Sequence, residues 1–213
     1  MISVHNLSKA FEGKMVLSDF SAEFKDGQAV CIMGPSGIGK TTLLRLLAGI
    51  EKADSGEISG MKDKKKSFIF QENRLLPWLN LYENIRFVTD DAKKIENALK
   101  QTSLWNDRSK MPDELSGGMA RRAAIARAAA FGGDIFFIDE PLYGLDVRTS
   151  HDILSLIKDT IQGKTAFIVT HSPEEAYFLA DSILFLEDSP VSQAEMKDIG
   201  DFSSPEDIKK RLL

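Results

Sequence analysis

A chain of 213 residues with 43% hydrophobic side chains can bury one substantial core, with a smaller unit attached to it. Its 27 basic and 32 acidic side chains leave a net charge of −5, so attraction for a polyanion must be local, and the basic stripe of a nucleic-acid binder is missing. One cysteine excludes an internal disulfide, and the lack of any uncharged apolar run of about 18 residues argues against a bilayer span.

The opening reads as short strands: Ile2–Leu7, Val16–Phe24 around Gly13, and Gln28–Met33 after the Asp26-Gly27 turn. Glu12, Asp19, Glu23 and Asp26 interrupt the first segment, so no signal peptide is expected and the protein is expected to be cytoplasmic. Cys31 reads as a small buried hydrophobe. The third strand runs into Gly34-Pro35-Ser36-Gly37-Ile38-Gly39-Lys40-Thr41, and Lys40–Ala48 continues as an apolar helix closed by Gly49. Gly56–Ser59 and Ser67–Gln71 follow as strands; Lys62, Lys64, Lys65 and Lys66 between them read as a solvated turn.

From about Glu72 to Ala130 the pattern is helical, over Leu81–Val88, Ala92–Thr102 and Ser116–Ala130, with breaks at Pro77 and Pro112. This predicts a helical subdomain, 72–130, inserted into a single domain whose α/β core spans 1–71 and 131–213. Strand Ile135–Asp139, helix Val147–Ile161, strand Thr165–Thr170, helix Pro173–Leu179 and strand Ser182–Glu187 then alternate, which predicts a parallel sheet with crossover helices. Ser204-Pro205-Glu206-Asp207 opens a last small helix.

Gly34–Thr41 is a complete G-x-x-x-x-G-K-[ST] loop between a strand and a helix, which points to a nucleoside triphosphate. Its glycines let backbone amides close around phosphate oxygens at a helix N-terminus. Lys40 is expected on the β and γ phosphates, and the Thr41 hydroxyl on Mg²⁺. The unbroken apolar run Ile135–Ile138 suits a strand buried on both faces, which delivers Asp139 and Glu140 to the crevice where open α/β sheets bind ligands. Asp139 then fits an acid that holds Mg²⁺, and Glu140 a general base for the attacking water. In Leu115-Ser116-Gly117-Gly118-Met119, Ser116 can cap a helix whose amides Gly117 and Gly118 leave open to an anion.

Together these segments resemble the ATP-binding subunit of an ABC transporter, over nearly the whole chain. The resemblance implies a P-loop NTPase (RecA-like) parallel-sheet core, an N-terminal antiparallel β subdomain and an inserted α-helical subdomain. It implies ATP and Mg²⁺ as ligands, and two copies facing head to tail. Each nucleotide would be held by Gly34–Thr42 of one copy and by Ser116, Gly117 and Gly118 of the other. Met119 stands where the family has a glutamine. Arg121, Arg122 and Arg127 follow on the same helix and could favour phosphate. Gln71 resembles the glutamine that senses Mg²⁺, and His171 falls where the family places a γ-phosphate contact. Phe11 sits where an aromatic stacks on adenine. Gly144-Leu145-Asp146 resembles the loop at the dimer interface, with Tyr143-Gly144 where the family commonly has Ser-Ala.

The segment Phe70–Asn80 resembles importers of the nitrate, sulfonate and taurine group. It implies transmembrane permease subunits, met through at least Leu76 or Trp78, an extracytoplasmic solute-binding protein, and a place on the inner face of the membrane. Trp105 is expected to pack within the helical subdomain. A GTPase would need a base-reading N-K-x-D segment, which this chain lacks. A chromosome-maintenance relative would need long coiled coils between Thr41 and Leu115, where there is no room, and a ribosomal relative two cassettes in one chain.

Overall fold

The computed structural model describes residues 1–145 and 147–212, and for 147–149 the backbone only. Two sheets form. In the first, β1 (Ile2–Phe11) pairs antiparallel with β2 (Lys14–Phe24) on one side and with β4 (Ser55–Ser59) on the other. The second has the order β5-β6-β7-β3-β8-β9, from β3 (Ala29–Met33), β5 (Lys66–Ile69), β6 (Ile135–Asp139), β7 (Thr165–Val169), β8 (Ser182–Leu186) and β9 (Ala194–Asp198). Five of its strands are parallel; β9 runs antiparallel to β8 along the edge.

All residues of β3, β6, β7 and β8 are buried, as strands covered on both faces must be. Their side chains alternate between two cores. Val30, Ile32, Phe137, Phe167, Val169 and Leu184 face a cluster shared with β1, β2 and α1 (Lys40–Ala48). Cys31, Met33, Phe136, Ile138, Ile168 and Phe185 face a second cluster. This one is covered by α5 (Val147–Ile161), α6 (Pro173–Leu179) and α7 (Pro205–Leu212). In the first cluster Phe68, Phe137 and Phe167 stack in series across three strands, and Phe24 meets Phe167 edge-on at 4.9 Å.

A third cluster gathers α2 (Leu81–Arg86), α3 (Ala92–Gln101) and α4 (Gly117–Phe131), with Trp105 packed against it. Helix α4 sends Ala123, Ala126 and Ala130 into this cluster, and Ile125 and Ala128 into the second core. A helix buried on two sides needs small side chains, which accounts for its run of alanines. Asn80 and Glu83 form a reciprocal cap at α2. The buried Asn84 Nδ2 donates to the carbonyls of Leu79 (2.7 Å), Leu76 and Asn80, and its Oδ1 accepts from Leu76 N (2.8 Å). That one side chain fixes the course of the segment after Gln71.

Strand β9 had no expectation attached to it. Ala194-Glu195-Met196-Lys197-Asp198 lacks β-branched residues, and its charges suit an edge that must not pair further. The lysine run is less solvated than its composition suggests. Lys64 pairs with Asp26, and Lys66 donates to the Ala48 carbonyl at 3.0 Å, closing the end of α1.

Candidate functional site

Three parallel strands end side by side, with Ile32 opposite Val169 and Asp139 opposite Val169. The residues that follow them, from Gly34, Glu140 and Thr170 onward, therefore leave the sheet at the same edge. Between them lies a cleft of about 390 Å³ lined by Ser36, Gly37, Gly39, Lys40, Thr41, Thr42, Gln71, Glu140 and His171, together with Val16 and Tyr143.

Gly34 cannot be replaced without moving a strand: a β-carbon there would come 2.5 Å from the Leu186 carbonyl oxygen, at φ +149°. At Gly39 (φ +121°) an added β-carbon would meet Val16 at 2.7 Å. The loop thus turns back on itself between β2 and β8, with Ile38 buried beneath it and Pro35 exposed. Lys40 Nζ donates to the carbonyls of Gly34 (2.8 Å) and Pro35 (2.9 Å). Burial pushes this ammonium down from its usual range, and Glu140 and Asp139 oppose the shift.

Thr41 Oγ1 donates to Asp139 Oδ1 at 3.2 Å. Burial raises the Asp139 carboxyl above its usual range; the Thr41 hydroxyl, Arg45, Arg121 and Arg74 offset this in part. A hydroxyl and a carboxylate side by side are a hard-oxygen pair, which fits a Mg²⁺ whose remaining ligands are water and phosphate. Glu140 Oε2 lies 2.8 Å from His171 Nδ1, with the imidazole exposed and the carboxylate mostly covered. Glu140 holds φ +45°, unusual for a side chain with a β-carbon, and its amide donates to the Val169 carbonyl at 2.8 Å.

Ser116 caps α4, its Oγ accepting from Met119 N at 3.3 Å. A β-carbon added at Gly117 would meet nothing within 4 Å, so the amide end of the helix is open. Ser116, Gly117 and Gly118 are not among the residues that line the cleft. Nor is Phe11, which ends β1 with an exposed ring beneath Lys9 Nζ, 4.9 Å from the centroid. Asp146 lies outside the described residues.

Arg121 and Arg127, read from the sequence as cations that could favour phosphate, are bound to carbonyls instead. Arg127 donates to Asn73 O (3.0 Å) and Arg74 O (2.8 Å). Arg121 reaches Pro141 O at 2.6 Å. Val16 and Tyr143 in the cleft wall had no sequence signal: one is a strand valine, the other an aromatic in a turn.

Glu175 was also missed, because Ser172-Pro173-Glu174-Glu175 reads as a capping box. Only half of the box forms. Ser172 Oγ accepts from Glu175 N at 3.2 Å, but the Glu175 carboxylate turns inward and accepts from the buried Thr170 hydroxyl at 2.7 Å. Burial raises this carboxyl above its usual range, with the nearby Glu140 charge adding to the shift. Because the folded value lies above the unfolded one, the carboxyl costs stability once pH exceeds the ordinary carboxylate range. Glu175→Gln keeps the acceptor and removes the charge. It should raise the melting temperature by a few degrees at about pH 8, with the gain shrinking as pH falls toward about 4.5. Equal or lower melting at the alkaline end would show that the ionised form is favoured.

The profile of the ABC transporter family matches residues 17–143. The aliphatic sulfonates import ATP-binding protein SsuB 2 of Pseudomonas syringae pv. tomato is 35% identical over 96% of this chain and 90% of its own. The spermidine/putrescine import ATP-binding protein PotA of Bacteroides thetaiotaomicron is 37% identical over 91% of this chain and 46% of its own. Among solved structures, a dimeric ATP-binding cassette in a post-hydrolysis state with ADP and Pi superposes with a TM-score of 0.76 at 30% identity, covering 92% of this chain and 98% of that one. The chain belongs to the ABC transporter family, as an ATPase cassette.

Proposed function

We propose that the protein is the ATP-hydrolysing subunit of a solute importer, working as two head-to-tail copies beneath a separate permease. The observation that carries this reading is the division of the phosphate-binding parts. The loop, Gln71, Glu140 and His171 share one cleft, with Asp139 bonded to Thr41 at its edge, while the open amide end of α4 lies outside it. A helix N-terminus with two glycines and a serine cap suits an anion, and a nucleotide bound to a second copy would supply one.

In each composite site Gly34–Thr42 wraps the phosphates of ATP, and Lys40 leaves its loop carbonyls for the β and γ phosphates. Thr41, Asp139 and Gln71 hold Mg²⁺, which neutralises phosphate charge when bound. Glu140 takes a proton from the attacking water, and His171 orients that carboxylate and contacts the γ-phosphate. Phe11 stacks on adenine, and Ser116, Gly117 and Gly118 of the opposite copy close over the γ-phosphate. Asp146 lies at the interface between copies. Nucleotide contacts made only in the closed pair drive closure, and hydrolysis reopens it.

Segment 72–130 carries the motion to the membrane. Leu76 lines a second cleft, of about 340 Å³, with Phe70, Phe87, Phe131 and Arg74, and Trp78, two residues on, is exposed. This apolar surface next to Gln71 suits a cytoplasmic helix of the permease. Among the described residues no helix is long and apolar enough to cross a membrane. The permease holds the chain at the inner face. An extracytoplasmic solute-binding protein completes the importer, and nucleic acid is not a partner. The solute belongs to the nitrate, sulfonate and taurine class, on the segment after Gln71 and the resemblance to SsuB relatives.

The test is co-purification from membranes followed by reconstitution. A tagged copy should retain a multi-span permease, and vesicles should take up an alkanesulfonate only with ATP on the cassette side. Retention of ribosomes or DNA in place of a permease would overturn the proposal.

A further inference from the structure

Arg121 sits one turn and a half into α4 from Ser116 and is 2% exposed. Among the described residues its guanidinium has no carboxylate at ion-pair distance; its donors go to main-chain carbonyls of two loops and to one side-chain amide. Nε donates to Pro141 O at 2.6 Å and Nη2 to Glu140 O at 3.3 Å. Nη1 donates to Phe70 O, with Gln71 O at 3.4 Å and Asn73 Oδ1 at 3.5 Å. One planar fork thus joins the helix that ends at Ser116, the loop that presents Gln71 and the loop that presents Glu140.

The Glu140 loop needs that support. Its φ of +45° is strained for a residue with a β-carbon, and such a conformation persists only where its surroundings impose it. Val169 O holds the amide of Glu140 from the sheet side, and Arg121 holds the carbonyls of Glu140 and Pro141 from the helix side. Burial lowers the Arg121 pKa to about 10, with Glu175 and Asp139 pulling it back up. The guanidinium therefore stays charged at neutral pH, and charge strengthens each bond it donates.

We propose that Arg121 is a positioning residue for hydrolysis: it imposes the backbone geometry that aims the Glu140 carboxylate. It also ties that geometry to the helix reaching the partner's nucleotide. This rests on the assignment of Glu140 as general base. A lysine keeps the charge but not the fork, so it cannot span both loops.

The experiment compares Arg121→Lys and Arg121→Gln with Arg127→Lys, which removes a half-buried fork on the same helix bonded only to the Gln71-side segment. Turnover and ATP affinity are measured in the purified protein, below all melting points. Both Arg121 variants should lower kcat by about 10- to 100-fold with KM within about twofold, since a misplacement near 1 Å costs on that scale. They should still pair on ATP, while Arg127→Lys keeps kcat near wild type. Unchanged kcat in the Arg121 variants overturns the proposal, as does a loss that Arg127→Lys matches and that simply follows the melting temperature. Glu140→Gln, assayed alongside, separates the two claims: if it turns over normally the base assignment fails, whatever Arg121 does.

Discussion

Glu140→Gln should lower ATP turnover by about 10²- to 10⁴-fold while Mg-ATP binding survives, the range expected when a general base loses its proton-accepting form. The side chains are nearly isosteric, and the loop that carries residue 140 is held through main-chain groups, by Val169 O and by Arg121. Neither set of bonds depends on the carboxylate. The amide can still bond to His171, whose Nδ1 lies 2.8 Å from Glu140 Oε2. What disappears is a basic oxygen beside the phosphate loop. With ATP bound and not consumed, the closed pair should accumulate, visible as a doubling of mass by light scattering on adding Mg-ATP. Turnover within about twofold of wild type would remove Glu140 from the chemistry, because no proton-transfer role contributes so little.

How much of this molecule could be read from its sequence depended on how local the cause was. Helix Lys40–Ala48, strand Ile135–Asp139, helix Val147–Ile161 and helix Pro173–Leu179 occur at the bounds expected, since apolar period, glycine stops and proline starts are written within each segment. The cleft residues Lys40, Thr41 and Glu140 were also legible, because a phosphate loop at a strand end leaves few places for its partners, whereas Gln71 and His171 were reached through the family resemblance. Strand β9 was not legible, since Glu195, Met196 and Lys197 become a strand only by pairing with β8.

Arg121 and Glu175 show the same limit at the site. On composition one is a helix-surface cation and the other a cap. Only the packed structure shows that Arg121 binds carbonyls more than 45 residues back along the chain, at Phe70 and Gln71, as well as at Pro141. Likewise only the fold turns Glu175 toward Thr170. Both errors come from treating a charged side chain as exposed when tertiary burial had claimed it.

Ser116→Arg should abolish ATP-driven pairing, and with it nearly all turnover, while a single copy binds ATP as before. Ser116 is exposed and does not line the cleft that holds Lys40, so the first half of the site is untouched. Losing its cap on Met119 N costs the helix about 1 kcal/mol, too little to unfold a domain with three hydrophobic clusters. The arginine instead places a long side chain where Gly117 leaves the helix end open. The sharper measurement mixes two inactive variants. Lys40→Ala lacks the loop cation but keeps Ser116; Ser116→Arg has the reverse defect. In a head-to-tail pair the loop of the second and the helix end of the first make one intact site. An equal mixture should therefore regain at least about a quarter of wild-type turnover: random pairing would make half the pairs mixed, each with one good site of two, and Ser116→Arg copies that cannot pair with themselves raise that share. A mixture as inactive as its components, with both variants folded and pairing allowed, would mean that each copy completes its own site.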